Sequence, residues 1–251
     1  MKTESTNQLT GKIALVTGAS RGIGAAIAKR LAAEGAAVAI TYSSSSDRAE
    51  SVVKEIESAG RKAIAIQADA ADAEAVKRSV SETVKQLGGL DILVNNAGIA
   101  VMAPLDQFTL ADYDRLMAIN VRGVFVASQE ASLHMKEGGR IITIGSTNAE
   151  RMPFAGGGVY AASKAAVAGL TKGLARDLGP RGITVNNVQP GPVDTELNPK
   201  DGPFAESLKS LMALPRYGTG DEIASFVAYL AGPESAYITG ASLLIDGGFA
   251  A

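Results

Sequence analysis

The sequence predicts an α/β fold: one doubly wound, mostly parallel sheet of seven strands flanked by helices, spanning residues 1–251 as a single domain. Three observations predict it. Apolar runs of strand length alternate with longer helical stretches along the whole chain. Most of those runs are continuous rather than alternating, as expected when helices cover both faces of a parallel sheet. No linker, charge block or low-complexity tract divides the chain. In order, a strand at 13–17 leads into a helix at 24–34, which Gly35 closes. A strand at 37–41 passes through the serine loop 43–46 into a helix at 48–59, followed by Gly60. Strand 63–67, helix 73–87, the turn at Gly88 and strand 92–95 come next. Thr109-x-x-Asp112 reads as a capping box for one long helix at 111–135, before strand 140–144. A helix at 159–178, a strand at 184–188, a helix at 221–230 capped by Thr219-x-x-Glu222, and a strand at 242–245 complete the pattern. Right-handed crossovers then bring the strand C-termini to one edge, where ligands bind.

Composition excludes several functions. The 251 residues include no Cys, so there are no disulfides, thiolate metal sites or cysteine nucleophiles. A single histidine, His134, rules out a multi-histidine metal site and reads as a helix-end residue; the expected site uses no metal. Lys and Arg number 24 against 26 Asp and Glu, a net charge of −2 that offers no broad attraction to nucleic acid. The polar stretch 1–12 has no apolar signal core, and no run is long enough to span a membrane, so a cytoplasmic location is expected. Glycine is the outlier: 28 residues, about 11% of the chain against a usual ~7%.

The glycines are not scattered evenly. The first strand runs into Thr17-Gly18-Ala19-Ser20-Arg21-Gly22-Ile23-Gly24 and a helix follows. Glycines there let the backbone turn sharply and approach a pyrophosphate, while the helix N-terminus supplies free N–H groups. Tyr160 and Lys164 lie four apart on one helical face. A free tyrosine titrates near ~10, too high for efficient acid–base work at neutral pH, and a nearby cation is expected to lower that value. Ser146 follows the fifth strand and points to the ligand edge, with Thr147 as the competing hydroxyl.

With Asn95-Asn96-Ala97-Gly98, Asn120 and Pro190-Gly191-x-x-x-Thr195, these motifs stand in an order that resembles the classical short-chain dehydrogenase/reductase family over essentially the whole chain. Within it the sequence is similar to 3-oxoacyl-carrier-protein reductases and related carbonyl reductases. The resemblance implies a Rossmann-type dinucleotide fold. It implies hydride transfer between a nicotinamide cofactor and a ketone or secondary alcohol, with Tyr160 as general acid/base and Ser146 on the substrate oxygen. Lys164 would hold the nicotinamide ribose, and Asn120 a water that resupplies the proton. It also implies that Asp69 and Ala70 meet the adenine, that Asn96, Ala97 and Gly98 pass the adenine ribose, that Val193 and Thr195 meet the carboxamide, and that Pro190 and Gly191 lie along the same cofactor.

The second strand ends without the acid that NAD-preferring folds use on the ribose 2′-hydroxyl: 36–46 contains no Asp or Glu. Arg21, Tyr42, Ser43, Ser44 and Arg48 stand there instead, and guanidinium suits phosphate. Together with Gly18, Ser20, Gly22, Ile23 and Gly24 they predict NADP(H) over NAD(H). Residues 195–216 read as a substrate lid; Phe204, Leu208, Leu211 and Met212 share one helical face that either closes on substrate or packs on the body. Ala161, Ala162, Ala165, Ala166, Ala168 and Gly169 permit close helix approach, and the resemblance implies a homotetramer. Two other readings stand beside an NADP(H)-dependent reductase. One is an NAD-dependent sugar, polyol or hydroxysteroid dehydrogenase. The other is a non-catalytic nucleotide or ligand sensor, for which a full Asn120, Ser146, Tyr160 and Lys164 set has no physical need.

Overall fold

The computed structural model describes residues 7–251. Seven strands form one sheet in the order β3-β2-β1-β4-β5-β6-β7, and every neighbouring pair is parallel. They are β1 (Ile13–Val16), β2 (Ala37–Tyr42), β3 (Ala63–Gln67), β4 (Ile92–Asn95), β5 (Arg140–Ile144), β6 (Thr184–Pro190) and β7 (Ser242–Ile245). The expected "mostly parallel" sheet is thus wholly parallel. Helices α1 (Gly22–Ala33), α2 (Ser46–Ser58) and α8 (Gly220–Ala231) bury their apolar residues on one face. On the other lie α3 (Ala73–Leu87), α5 (Gly123–His134) and α6 (Gly158–Leu178). Two further helices, α4 (Leu110–Met117) and α7 (Ala205–Lys209), sit outside these layers.

Strand residues feed the two faces alternately. Ala14 and Val16 enter one core cluster while Leu15, fully buried, enters the other; Ile92 and Val94 against Leu93 repeat the pattern. A strand apolar on both sides must lie between two helical layers, which is why the continuous apolar runs foretold a covered sheet.

The long helix expected over 111–135 is interrupted. Residues Ala118–Arg122 form a π-helical turn between α4 and α5. Close packing accompanies the break: a Cβ on Gly123 would stand 2.6 Å from the carbonyl oxygen of Ala70, so this stretch of helix lies directly on the loop after β3. Such turns re-aim side chains, here Asn120, which is buried inside the wider turn. Thr219 and Glu222 form the reciprocal capping box. At Thr109 only half of one forms: its hydroxyl oxygen accepts from the Asp112 amide and its hydroxyl proton goes to the Asp112 carboxylate. The aspartate, one methylene shorter than glutamate, is engaged by the hydroxyl rather than by the backbone. Helix α2 begins two residues before the expected Arg48, because Ser46 and Asp47 already lie in its first turn.

The order of strands reverses between β1 and β4, and this is where a doubly wound sheet opens a crevice. Gly18 has φ +63°, and a Cβ there would stand 2.8 Å from Ala97 Cα. Gly60, with φ +78°, faces open space. Gly60→Ala should therefore cost only backbone strain, about 1 kcal/mol, while Gly18→Ala should cost about 2–4 kcal/mol because a methyl is forced against backbone. Urea unfolding of both variants checks the difference; equal losses would refute the packing argument.

Candidate active site

The loop after β1 and the loop after β4 are stitched into one floor. The Thr17 hydroxyl oxygen accepts from the Asn96 and Ala97 amides, both at 3.0 Å. The Asn96 side-chain amide donates to the carbonyls of Thr17 and Gly18 at 2.9 and 3.0 Å. Gly18 N–H in turn donates to Thr41 Oγ1 at 2.9 Å, tying the loop to the end of β2. Thr17, Thr41, Ala68, Ala70, Asn95 and Ala97 line one pocket at this edge.

Above the floor, α1 begins with no side-chain cap and no acid in its first turn. Its first N–H groups therefore lack a side-chain acceptor, and an anion suits that position. Ile23 and Tyr42 are partly buried and pack against the core. Ser43 and Ser44 are exposed beside it. Asp69 is not the cap of α3: Asp72 is, accepting from the Glu74 and Ala75 amides, while Asp69 accepts from Ala71 N–H at 2.9 Å.

Beyond β5 lies a second cluster. Tyr160 and Lys164 rise one turn apart on α6, with Lys164 Nζ 5.8 Å from the centroid of the tyrosine ring. Lys164 is 6% exposed and donates to the Ile144 carbonyl at 3.0 Å. Burial pulls its pKa down from 10.5 to about 8. Burial pushes the Tyr160 phenol up, and a hydrogen bond with Ser146 opposes that rise. The lowering expected from the neighbouring cation does not prevail: desolvation of the phenolate is the larger cause and raises the value. Thr147 has another use, donating to Asp246 at 2.8 Å, which leaves Ser146 as the hydroxyl beside the phenol.

Asn120 reaches this cluster from the π turn. Its Oδ1 accepts from Ile99 N–H, and its Nδ2 donates to the Ile99 carbonyl, both at 2.9 Å. It also donates to Ser163 Oγ at 3.1 Å, and Ser163 donates to the Tyr160 carbonyl at 2.7 Å. A Cβ on Gly98 would come 3.4 Å from Asn120 Oδ1 and 3.5 Å from Lys164 Nζ, so Gly98, Asn120 and Lys164 border one small space. Sequence reasoning passed over Ser163, although it sits beside Lys164, and could not have found the Ile144 carbonyl.

The segment after β6 is mixed. A Cβ on Gly191 would stand 2.7 Å from Asp246 Cα, so close packing on the chain after β7 requires that glycine. Val193 is buried and bridges to Gly218. Thr195 lies over the glycine loop, its methyl 3.6 Å from a Cβ built on Gly22. The expected apolar face of the lid divides: Leu208, Leu211 and Met212 pack with Tyr217 and Phe249, whereas Phe204 is exposed. Arg21 is not a free surface arginine, since its guanidinium meets Glu196 at 3.4 Å. His134 ends α5 and approaches Glu130 at 3.4 Å, well apart from these groups in the chain.

Residues 18–250 match the family model described as enoyl-(acyl carrier protein) reductase. The chain is 50% identical over 242 residues to the cyclic-di-GMP-binding biofilm dispersal mediator protein of Escherichia coli K12, covering 96% of this chain and 98% of that protein. A short-chain dehydrogenase/reductase structure from Serratia marcescens BCRC 10948 superposes with a TM-score of 0.96 at 65% identity, covering 97% and 100% of the two chains. A short-chain dehydrogenase from Burkholderia cenocepacia J2315, solved in complex with NADP, gives 0.96 at 59% identity with the same coverage. The NADP complex agrees with an uncapped helix start and a β2 end free of acids, and NADP(H) is the favoured cofactor here. With its parallel sheet, its glycine loop and these relatives, the chain belongs to the short-chain dehydrogenase/reductase family, and it is an oxidoreductase.

Proposed function

We propose that the protein reduces a ketone to a secondary alcohol with NADPH, reversibly, with Tyr160 as the general acid. One observation carries this reading: a phenol beside the Ser146 hydroxyl stands one helical turn from a buried lysine whose Nζ is 5.8 Å from the tyrosine ring centroid. Bound NADPH supplies the hydride. Burial keeps Tyr160 protonated at neutral pH, so it holds the proton that a developing alkoxide needs. Ser146 donates to the same oxygen and helps to stabilise its charge. Lys164, cationic below about pH 8, faces the phenol and offers its N–H groups to ribose hydroxyls. Asn120 spends both amide protons on protein partners and keeps one acceptor lone pair for a water. The glycine loop, with Ser20 and the α1 start, holds the pyrophosphate. Asp69, Ala70, Asn96, Ala97 and Gly98 border the adenosine, and Pro190, Gly191, Val193 and Thr195 the carboxamide.

The whole chain acts as one unit, with 195–216 as the lid. Its inner residues anchor on Phe249 and its exposed Phe204 and Leu197 are left for substrate. The alanine and glycine face of α6, together with exposed Phe125 and Leu133 on α5, supports a homotetramer. A second reading, binding of a cyclic dinucleotide as an effector, comes from the name of the Escherichia coli relative.

Assay of a broad ketone panel with NADPH and NADH tests the main reading. Turnover with NADPH is expected; none across the panel, beside specific binding of cyclic-di-GMP, would replace it with the second. Tyr160→Phe should lower kcat by about 10²–10⁴-fold while NADPH still binds, and unchanged turnover would remove Tyr160 from the chemistry. The pH profile of kcat/KM for NADPH reports the free protein. It should fall above about pH 8, as Lys164 loses its proton, and Lys164→Met should lack that limb.

A further inference from the structure

Glu196 directly follows Thr195, at the start of the lid. Its carboxylate accepts from the Arg21 guanidinium at 3.4 Å and also from that of Arg48. Arg21 immediately precedes α1, and Arg48 lies in the first turn of α2. Three distant parts of the chain therefore meet on one carboxylate. All three side chains remain open to solvent, at 44%, 49% and 56% exposure. The two arginines flank the end of β2, where the adenosine ribose of a dinucleotide lies in this fold. The neighbouring Ser43 and Ser44 carry no charge, so these guanidiniums are the strong phosphate ligands there. Carboxylate and phosphate take the same planar fork of N–H donors, and one excludes the other.

We propose that Glu196 is a cofactor-specificity residue: in the free protein its carboxylate stands in for the 2′-phosphate, and NADP(H) displaces it. The 2′-phosphate then binds the guanidiniums that Glu196 leaves, and the start of the lid is released from the glycine loop. NAD(H) carries a neutral hydroxyl at that position and leaves the latch closed. Glu196 thereby lowers NADP(H) affinity somewhat, and it links recognition of the phosphate to movement over the substrate. The Arg48 and Arg21 guanidiniums hold its carboxyl below the usual carboxylate range, as an anion between cations requires. The inference rests on the NADP(H) reading but not on ketone reduction.

Binding alone tests it, with adenosine 2′,5′-bisphosphate and 5′-AMP as probes on the intact chain. Glu196→Gln and Glu196→Ala should each tighten the bisphosphate about three- to tenfold, the scale of two exposed ion pairs, and leave 5′-AMP within about twofold. In the wild type the bisphosphate should speed tryptic cleavage at Lys200 or Lys209, and 5′-AMP should not. In both variants cleavage should be fast without either probe. Unchanged or weaker bisphosphate binding in the variants would overturn the proposal, as would an equal gain for 5′-AMP. Wild-type protein that binds the two probes equally would instead refute the phosphate reading itself.

Discussion

The site is organised around one buried cation. Taking Lys164 out of water moves its pKa from 10.5 to about 8, a cost of about 3 kcal/mol at neutral pH. One carbonyl, that of Ile144, accepts from it, and this fixes α6 against the end of β5. The same helix carries Tyr160, so the position of the cation also sets that of the phenol. Gly98 and Asn120 border the space beside Lys164: a Cβ on Gly98 would stand 3.5 Å from the Lys164 Nζ and 3.4 Å from Asn120 Oδ1. A desolvated cation of this kind weakens the fold, and such perturbed groups cluster at functional sites.

The second constraint is close backbone approach at the sheet's reversal point. Gly18 lies on Ala97, and a Cβ on Gly24 would stand 2.4 Å from Asn96 Nδ2. Asn96 and Thr17 then use their polar groups to join the two loops. The hydrogen bonds of the crevice floor are internal to the protein. The rim is different. Arg21, Arg48 and Glu196 are half exposed and joined by charge-assisted hydrogen bonds, the kind of contact that a phosphate can exchange.

Much of this was legible because it is local. Strand runs, glycine spacing and the i, i+4 placement of Tyr160 and Lys164 each follow from neighbours in the chain. The π turn was not legible, since Ala118–Arg122 reads as ordinary helix and only its packing on Ala70 marks it. Motif position already favoured Ser146 over Thr147, but what engages the threonine was not legible: Asp246, 99 residues away in the chain, accepts from its hydroxyl. Glu196 was overlooked because a lone acid in a polar loop has no pattern of its own.

The sequence by itself determined the fold class, the order of elements, the glycine loop and the missing acid after β2. Periodicity and turn chemistry act over a few residues, so they survive without coordinates. Only the tertiary structure decided the electrostatics. Whether Tyr160 titrates above or below its free value depends on how much water reaches it and on where Lys164 is held, and both are set by β5, α6 and the π turn together. Whether Arg21 is free or paired depends on Glu196, 175 positions away. Desolvation and ion pairing are properties of a three-dimensional environment, and no spacing along a chain encodes them.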